Sequence, residues 1–83
     1  AAGKEFYIGR FYFRFKQYLS AIERFENVIS LYANAGFDEQ SFYYLTQALK
    51  KTNQQDLANE YFEVFKKHYP NSPYVKRIAS LLK

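Results

Sequence analysis

Few side chains in this sequence could carry covalent chemistry, and their spacing does not assemble them. His68 is the only histidine and there is no cysteine, so a metal site built on those ligands has no second member in view. Glu23 and Glu26 come closest to a carboxylate pair. They share the polar face of a candidate helix, where solvation is the expected role. No glycine-rich phosphate loop is present, and no nucleophile has a base at usable spacing. Lys66, Lys67 and His68 stand together at what reads as a helix C-terminus, where cations are favoured by the negative end of the helix dipole. The expectation is a non-enzymatic protein with no cofactor and no metal.

What remains is recognition chemistry, and it is concentrated in FYIGRFYFRFKQY, residues 6–18, where seven of thirteen residues are Phe or Tyr. Three structures could use such a stretch. As a strand, Phe11, Phe13 and Phe15 alternate with Tyr12 and Arg14, a faint likeness to an RNA-binding sheet. No other segment alternates with period two. As a membrane-surface helix, it has Lys4, Arg10, Arg14 and Lys16 but no clean polar face. As a helix in a helical stack, it is apolar nearly all round, which is the mark of a buried helix.

Composition narrows the choice. The chain has 83 residues, 48% of them hydrophobic and 22% aromatic, which suits one small folded domain and not a disordered chain. Three glycines and two prolines are too few for a loop-rich β-sandwich. The net charge of +4 comes from scattered cations, so nucleic acid is not the expected partner. The longest charge-free runs are about half of the ~20 residues that a spanning helix needs. Residues 1–3 read as a foreign remnant or a disordered start, and the chain as a piece of something longer.

Displaced by 37 residues, the chain falls on itself. Ile8 meets Leu45, Ala21 meets Ala58, Phe25 meets Phe62, Val28 meets Phe65, Tyr32 meets Tyr69, and Phe6-Tyr7 meets Tyr43-Tyr44. Within each copy the matched positions are three, four or seven apart, which is helical spacing. Repeat 1 (residues 4–37) therefore predicts helices over about 4–15 and 18–32. Repeat 2 (38–72) predicts helices over about 39–51 and 55–69, and 73–83 forms a capping helix. In the first helix Ile8, Phe11, Tyr12 and Phe15 form the expected inward stripe, with Gly9 beside it to admit the next helix. Asp38 is the expected N-cap of the third helix. Asn53 suits a left-handed turn, with Lys16 in the matching place. Ser72 caps the last helix and Pro73 takes its first position. The fold class is all-α: two antiparallel helix pairs and a closing helix.

These residues resemble the tetratricopeptide repeat. Repeat 1 supplies Ile8, Gly9, Tyr12, Ala21, Phe25 and Val28. Repeat 2 supplies Leu45, Thr46, Leu49, Ala58, Phe62, Phe65 and Pro70. Thr46 stands where the family has Gly, and Val28 and Phe65 stand where it has Ala. The extra residues of the period lie in Asn34-Ala35-Gly36-Phe37. The stretch EFYIGRFYFRFKQYLSAIERFENVI, followed by YPNSPY, is further similar to the repeat-built lipoproteins of outer-membrane β-barrel assembly. The resemblance implies an α-solenoid whose peptide groove is lined by the first helix of each pair. Its members would here be Phe6, Arg10, Phe13, Arg14, Tyr43, Gln47, Lys50 and Lys51. It also implies Arg24 as part of a docking surface for the periplasmic domains of the barrel-inserting subunit, with other assembly lipoproteins as further partners. The implied location is the periplasm, at the inner face of the outer membrane, with the parent protein lipid-anchored and this stretch not inserted. The exposed rings of the first helix predict self-association. Two other expectations stay open: a general periplasmic adaptor that shares YPNSPY, and an RNA-binding module.

Overall fold

Four short breaks divide the chain, and three of them turn on left-handed backbone. The computed structural model describes all residues 1–83. Its helices are α1 (Ala2–Arg14), α2 (Tyr18–Leu31), α3 (Asp38–Lys51), α4 (Gln55–His68) and α5 (Tyr74–Leu81). Lys16 at φ 60° and Asn53 at φ 59° reverse the chain at equivalent points of the two pairs. Asn tolerates that conformation better than Lys. Asn34 at φ 65° and Gly36 at φ 94° form the longer turn between the pairs. Pro70 ends α4, and Ser72 Oγ then accepts from the Tyr74 backbone N–H at 3.1 Å. Pro73, with φ −63° and ψ −18°, supplies the pre-set dihedral of a helix start.

Successive helices pack side by side, α1 on α2, α2 on α3, α3 on α4, and α5 back onto α3 and α4. This is the all-α stack of hairpins expected from the 37-residue period. With no strand present, the RNA-binding sheet has no structural basis. One core holds Phe6, Ala21, Ile22, Phe25, Val28, Leu45, Ala48, Leu49 and Ala58. A second, between α3, α4 and α5, holds Phe42, Phe65 and Ile78. The seam between first helices repeats as well: Phe6 lies 5.2 Å from Phe37, and Tyr43 lies 5.1 Å from Tyr74.

Tyrosine hydroxyls brace the stack, one between the pairs and one within the second pair. Tyr61 donates to Glu26 at 2.6 Å, from α4 to α2. Tyr69 donates to Asp38 at 2.9 Å. The same Asp38 carboxylate accepts from the Asn34 backbone N–H at 3.2 Å. Asp38 is therefore not the cap expected of it. It lies inside the first turn of α3, with its carboxylate turned back to hold the preceding loop. Burial, then the bond to Glu26, raises the titration of Tyr61 above its ordinary value; burial and Asp38 do the same for Tyr69.

α1 differs from expectation at its start and in its rotation. The stretch 1–3 is helical from Ala2, and Ala2 is buried. The buried face is Ala2, Phe6 and Gly9, whereas Phe11 is 57% and Phe15 59% exposed. The reason lies in the stacking order. In α3 the equivalent positions Leu45, Ala48 and Leu49 are fully buried because α1 and α2 lie on them. In α1 nothing occupies that side, so Phe11 and Phe15 face outward, while Ile8 and Tyr12 stay half-buried.

The rotation of α1 is held by Gly9. A Cβ at Gly9 would sit 2.9 Å from the Phe25 ring, and Phe25 is fully buried in the core. Repeat 2 makes no such approach. Thr46 stands at the equivalent position, its hydroxyl bonded to the carbonyls of Phe42 and Tyr43 at 2.8 and 3.0 Å. Phe62, the equivalent of Phe25, is only half-buried, with Lys66 Nζ 4.7 Å from its ring centroid. Gly9→Ala is expected to destabilise the fold by about 1–3 kcal/mol through overpacking, despite the better helix propensity of Ala. Thr46→Ala lacks that clash. Urea unfolding of the two variants checks the difference, and an unchanged Gly9→Ala midpoint refutes the close-approach argument.

Candidate functional site

The expected groove residues do not form one surface. Phe6 is in the core, 1% exposed. It belongs to the seam between α1 and α3 and leaves the groove. Tyr43 is half-buried beneath Tyr74 of α5. Gln47, Lys50 and Lys51 border a cleft of about 390 Å³ closed by Leu81. There Lys50 Nζ donates to the Leu81 carbonyl, which satisfies an orphan acceptor at the end of α5. Gln47 turns its amide to the Tyr43 carbonyl at 3.4 Å.

Arg10, Phe13 and Arg14 do come together. They line an open cleft of about 600 Å³ with Tyr7, Phe11 and Tyr44. One helical turn separates the two arginines, so both guanidinium groups serve the same face. Arg10 lies over the Tyr7 ring at 5.4 Å and the Phe6 ring at 5.8 Å. Phe13 meets Tyr44 at 5.0 Å and Tyr18 at 5.5 Å, both edge-on. Tyr44 stacks on Phe25 at 5.4 Å and 11°, so this wall of the cleft rests on the core. No carboxylate lines the cleft, and neither arginine has an ion-pair partner. Two uncompensated guanidinium groups beside four rings suit a carboxylate-bearing segment that also presents apolar side chains.

Tyr7, Phe11 and Tyr44 were missed from sequence because Phe11 was assigned inward and Tyr7 beside it. The helical spacing of Ala2, Phe6 and Gly9 was the available signal: these buried positions define the true inner face.

Arg24 sits elsewhere. Its Nη1 donates to Glu5 Oε2 at 2.7 Å, and Asn27 Nδ2 donates to Glu5 Oε1 at 2.8 Å. The cluster bridges α1 and α2.

 The Arg24 side chain keeps about a third of its surface, while that of Glu5 is 14% exposed. The hydrogen bonds from Arg24 and then Asn27 hold the Glu5 carboxyl below the ordinary carboxylate range. His68 turns its Nδ1 to the Val64 carbonyl at 3.0 Å. No three His, Cys, Asp or Glu residues gather closely enough to hold a metal ion, and no helix is long and apolar enough to cross a membrane.

Comparison with known proteins agrees with this architecture. The tetratricopeptide repeat family matches residues 5–35 and 40–72. An outer membrane protein assembly factor BamD from Rickettsia prowazekii is 37% identical over 82 residues, covering 99% of this chain and 33% of the relative. The protein of the same name from Neisseria meningitidis serogroup B is 31% identical over 75 residues, 90% of this chain and 28% of the relative. The one from Neisseria gonorrhoeae is 30% identical over 73 residues, 88% of this chain and 27% of the relative. The chain thus spans a third or less of the length of these relatives. No solved structure gives a significant match.

The Glu5 cluster has a pH signature. A carboxylate whose folded titration is lowered adds stability above its unfolded pKa, and that stability is lost as pH falls through the folded value. Glu5→Gln is expected to lower stability at neutral pH and to make the acid side of the stability profile shallower. Thermal melts between neutral pH and strong acid check this; parallel profiles for the two proteins refute it.

Proposed function

The chain belongs to the tetratricopeptide repeat family, and on that premise we propose that it is a non-enzymatic protein–protein interaction scaffold. It is a section of a component of outer-membrane β-barrel protein assembly, and it docks the periplasmic domains of the barrel-inserting subunit. The carrying observation is the unpaired Arg10–Arg14 couple in its aromatic cleft, joined to the name shared by the relatives. Its place is the periplasm at the inner face of the outer membrane, with the parent protein anchored by lipid. The Lys50 and Lys51 cleft extends the cationic character along α3. An acidic segment with apolar side chains would lie against α1, its carboxylates forked by arginine and its apolar groups between the rings.

The experiment is calorimetric titration of the chain with the soluble periplasmic domains of the barrel-inserting subunit. Binding is expected to weaken as salt rises. Arg14→Glu and Arg24→Glu are each expected to lower affinity about tenfold or more. Undiminished binding in both variants removes these surfaces from the proposal.

The outward rings of α1 also give the isolated chain a route to self-association. Burying one such ring stabilises by roughly 1.5–3 kcal/mol, against which the flanking arginines repel. A weak, concentration-dependent dimer that Phe11→Ser disrupts is the expected result in sedimentation. A strictly monomeric chain at high concentration rules it out.

A further inference from the structure

We infer that Glu5 and Asn27 are positioning residues for Arg24, so that Arg24 meets its partner as an oriented donor and not as a free charge. This rests on the reading that Arg24 belongs to the docking surface.

The argument starts from the repeat. Displacement by 37 residues places Glu5, Arg24 and Asn27 on Phe42, Tyr61 and Val64. In repeat 2 these positions are aromatic or aliphatic: Phe42 is buried, its ring meets that of Tyr61 at 6.3 Å, and Val64 lies exposed beside them on α4. There the Tyr61 hydroxyl points across to Glu26 of the preceding pair. Repeat 1 fills the same place with a polar cluster. A partly buried carboxylate is stabilised when it is well bonded, and here each Glu5 oxygen has its own donor, at 2.7 and 2.8 Å. The acceptor is on α1 and both donors are on α2, so Glu5 cannot swing away without breaking two bonds.

One edge of the guanidinium is therefore fixed while about a third of the side chain stays open. An arginine has five N–H donors in a rigid plane, and fixing one edge fixes where the others point. Arg10 and Arg14 differ in kind, since no carboxylate holds either of them. Their attraction is long-range and screened by salt. Arg24, with its charge already offset by Glu5, acts at contact distance. Immobilising a long side chain on docking normally weakens binding; at Arg24 that ordering is complete before the partner arrives.

The test is a mutant cycle read by titration with the soluble periplasmic domains of the barrel-inserting subunit. The variant Glu5→Leu/Asn27→Val copies the apolar character of repeat 2 and frees Arg24, with its fold checked by circular dichroism and thermal melting. It is expected to bind roughly three- to tenfold more weakly. Arg24→Ala should lose at least as much, and the triple variant should be no weaker than Arg24→Ala alone. Wild-type affinity in Glu5→Leu/Asn27→Val overturns the inference, and so does a loss that adds in full to that of Arg24→Ala. If the paired variant does not fold, Glu5→Gln takes its place in the same cycle. Wild-type binding by Arg24→Ala instead overturns the docking role of Arg24, a separate outcome.

Discussion

The contact between Gly9 and the Phe25 ring sets the rotation of α1, and the site depends on that rotation. With no side chain at Gly9, α2 seats a phenyl ring directly on the α1 backbone. Ala2 and Phe6 share that inner face. Helical geometry then leaves Tyr7, Arg10, Phe11 and Arg14 on the opposite side. Phe25 continues the chain of contacts into Tyr44 by stacking, and Tyr44 forms the far wall of the cleft. Core packing and site geometry are thus parts of one arrangement, and a change at Gly9 would be felt by the arginines.

The two repeats share a frame and diverge in what fills it. Repeat 1 makes the tight approach at Gly9 and closes its outer seam with the Glu5–Arg24–Asn27 cluster. Repeat 2 replaces the glycine with Thr46 and the polar cluster with Phe42, Tyr61 and Val64. Polar ties between the repeats come from Tyr61, which donates to Glu26 of α2, and from Asp38, whose carboxylate accepts from Tyr69 and from the Asn34 backbone N–H of the turn between the pairs. These bonds specify how one pair sits on the next, which apolar contacts alone fix less sharply.

Much of the fold was legible because the repeat writes each helix twice. Ala21 and Ala58, and the helical spacing around them, located the second helix of each pair. Asn53 announced a left-handed turn, and the Ser72-Pro73 start of α5 followed from local chemistry. The rotation of α1 was not legible by the same route. The stripe that repeats, Ile8 and Leu45 with their neighbours, is buried only where another pair lies across it, and sequence periodicity cannot state which helix is covered. The same gap misplaced Phe6, which fills the seam between first helices. Asp38 was misread for another reason. A cap is a local signal, but its carboxylate is drawn to Tyr69, thirty-one positions away in sequence.

What the arrangement offers a partner is a cleft with cations, rings and no acid of its own. Amide and aromatic-ring NMR spectra of the chain, followed as the soluble periplasmic domains of the barrel-inserting subunit are added, test this most directly. The account predicts that signals of Tyr7, Arg10, Phe11, Phe13, Arg14 and Tyr44 shift first and furthest. Shifts centred on Asp56, Glu60 and Glu63 of α4, with the cleft unmoved, would contradict it.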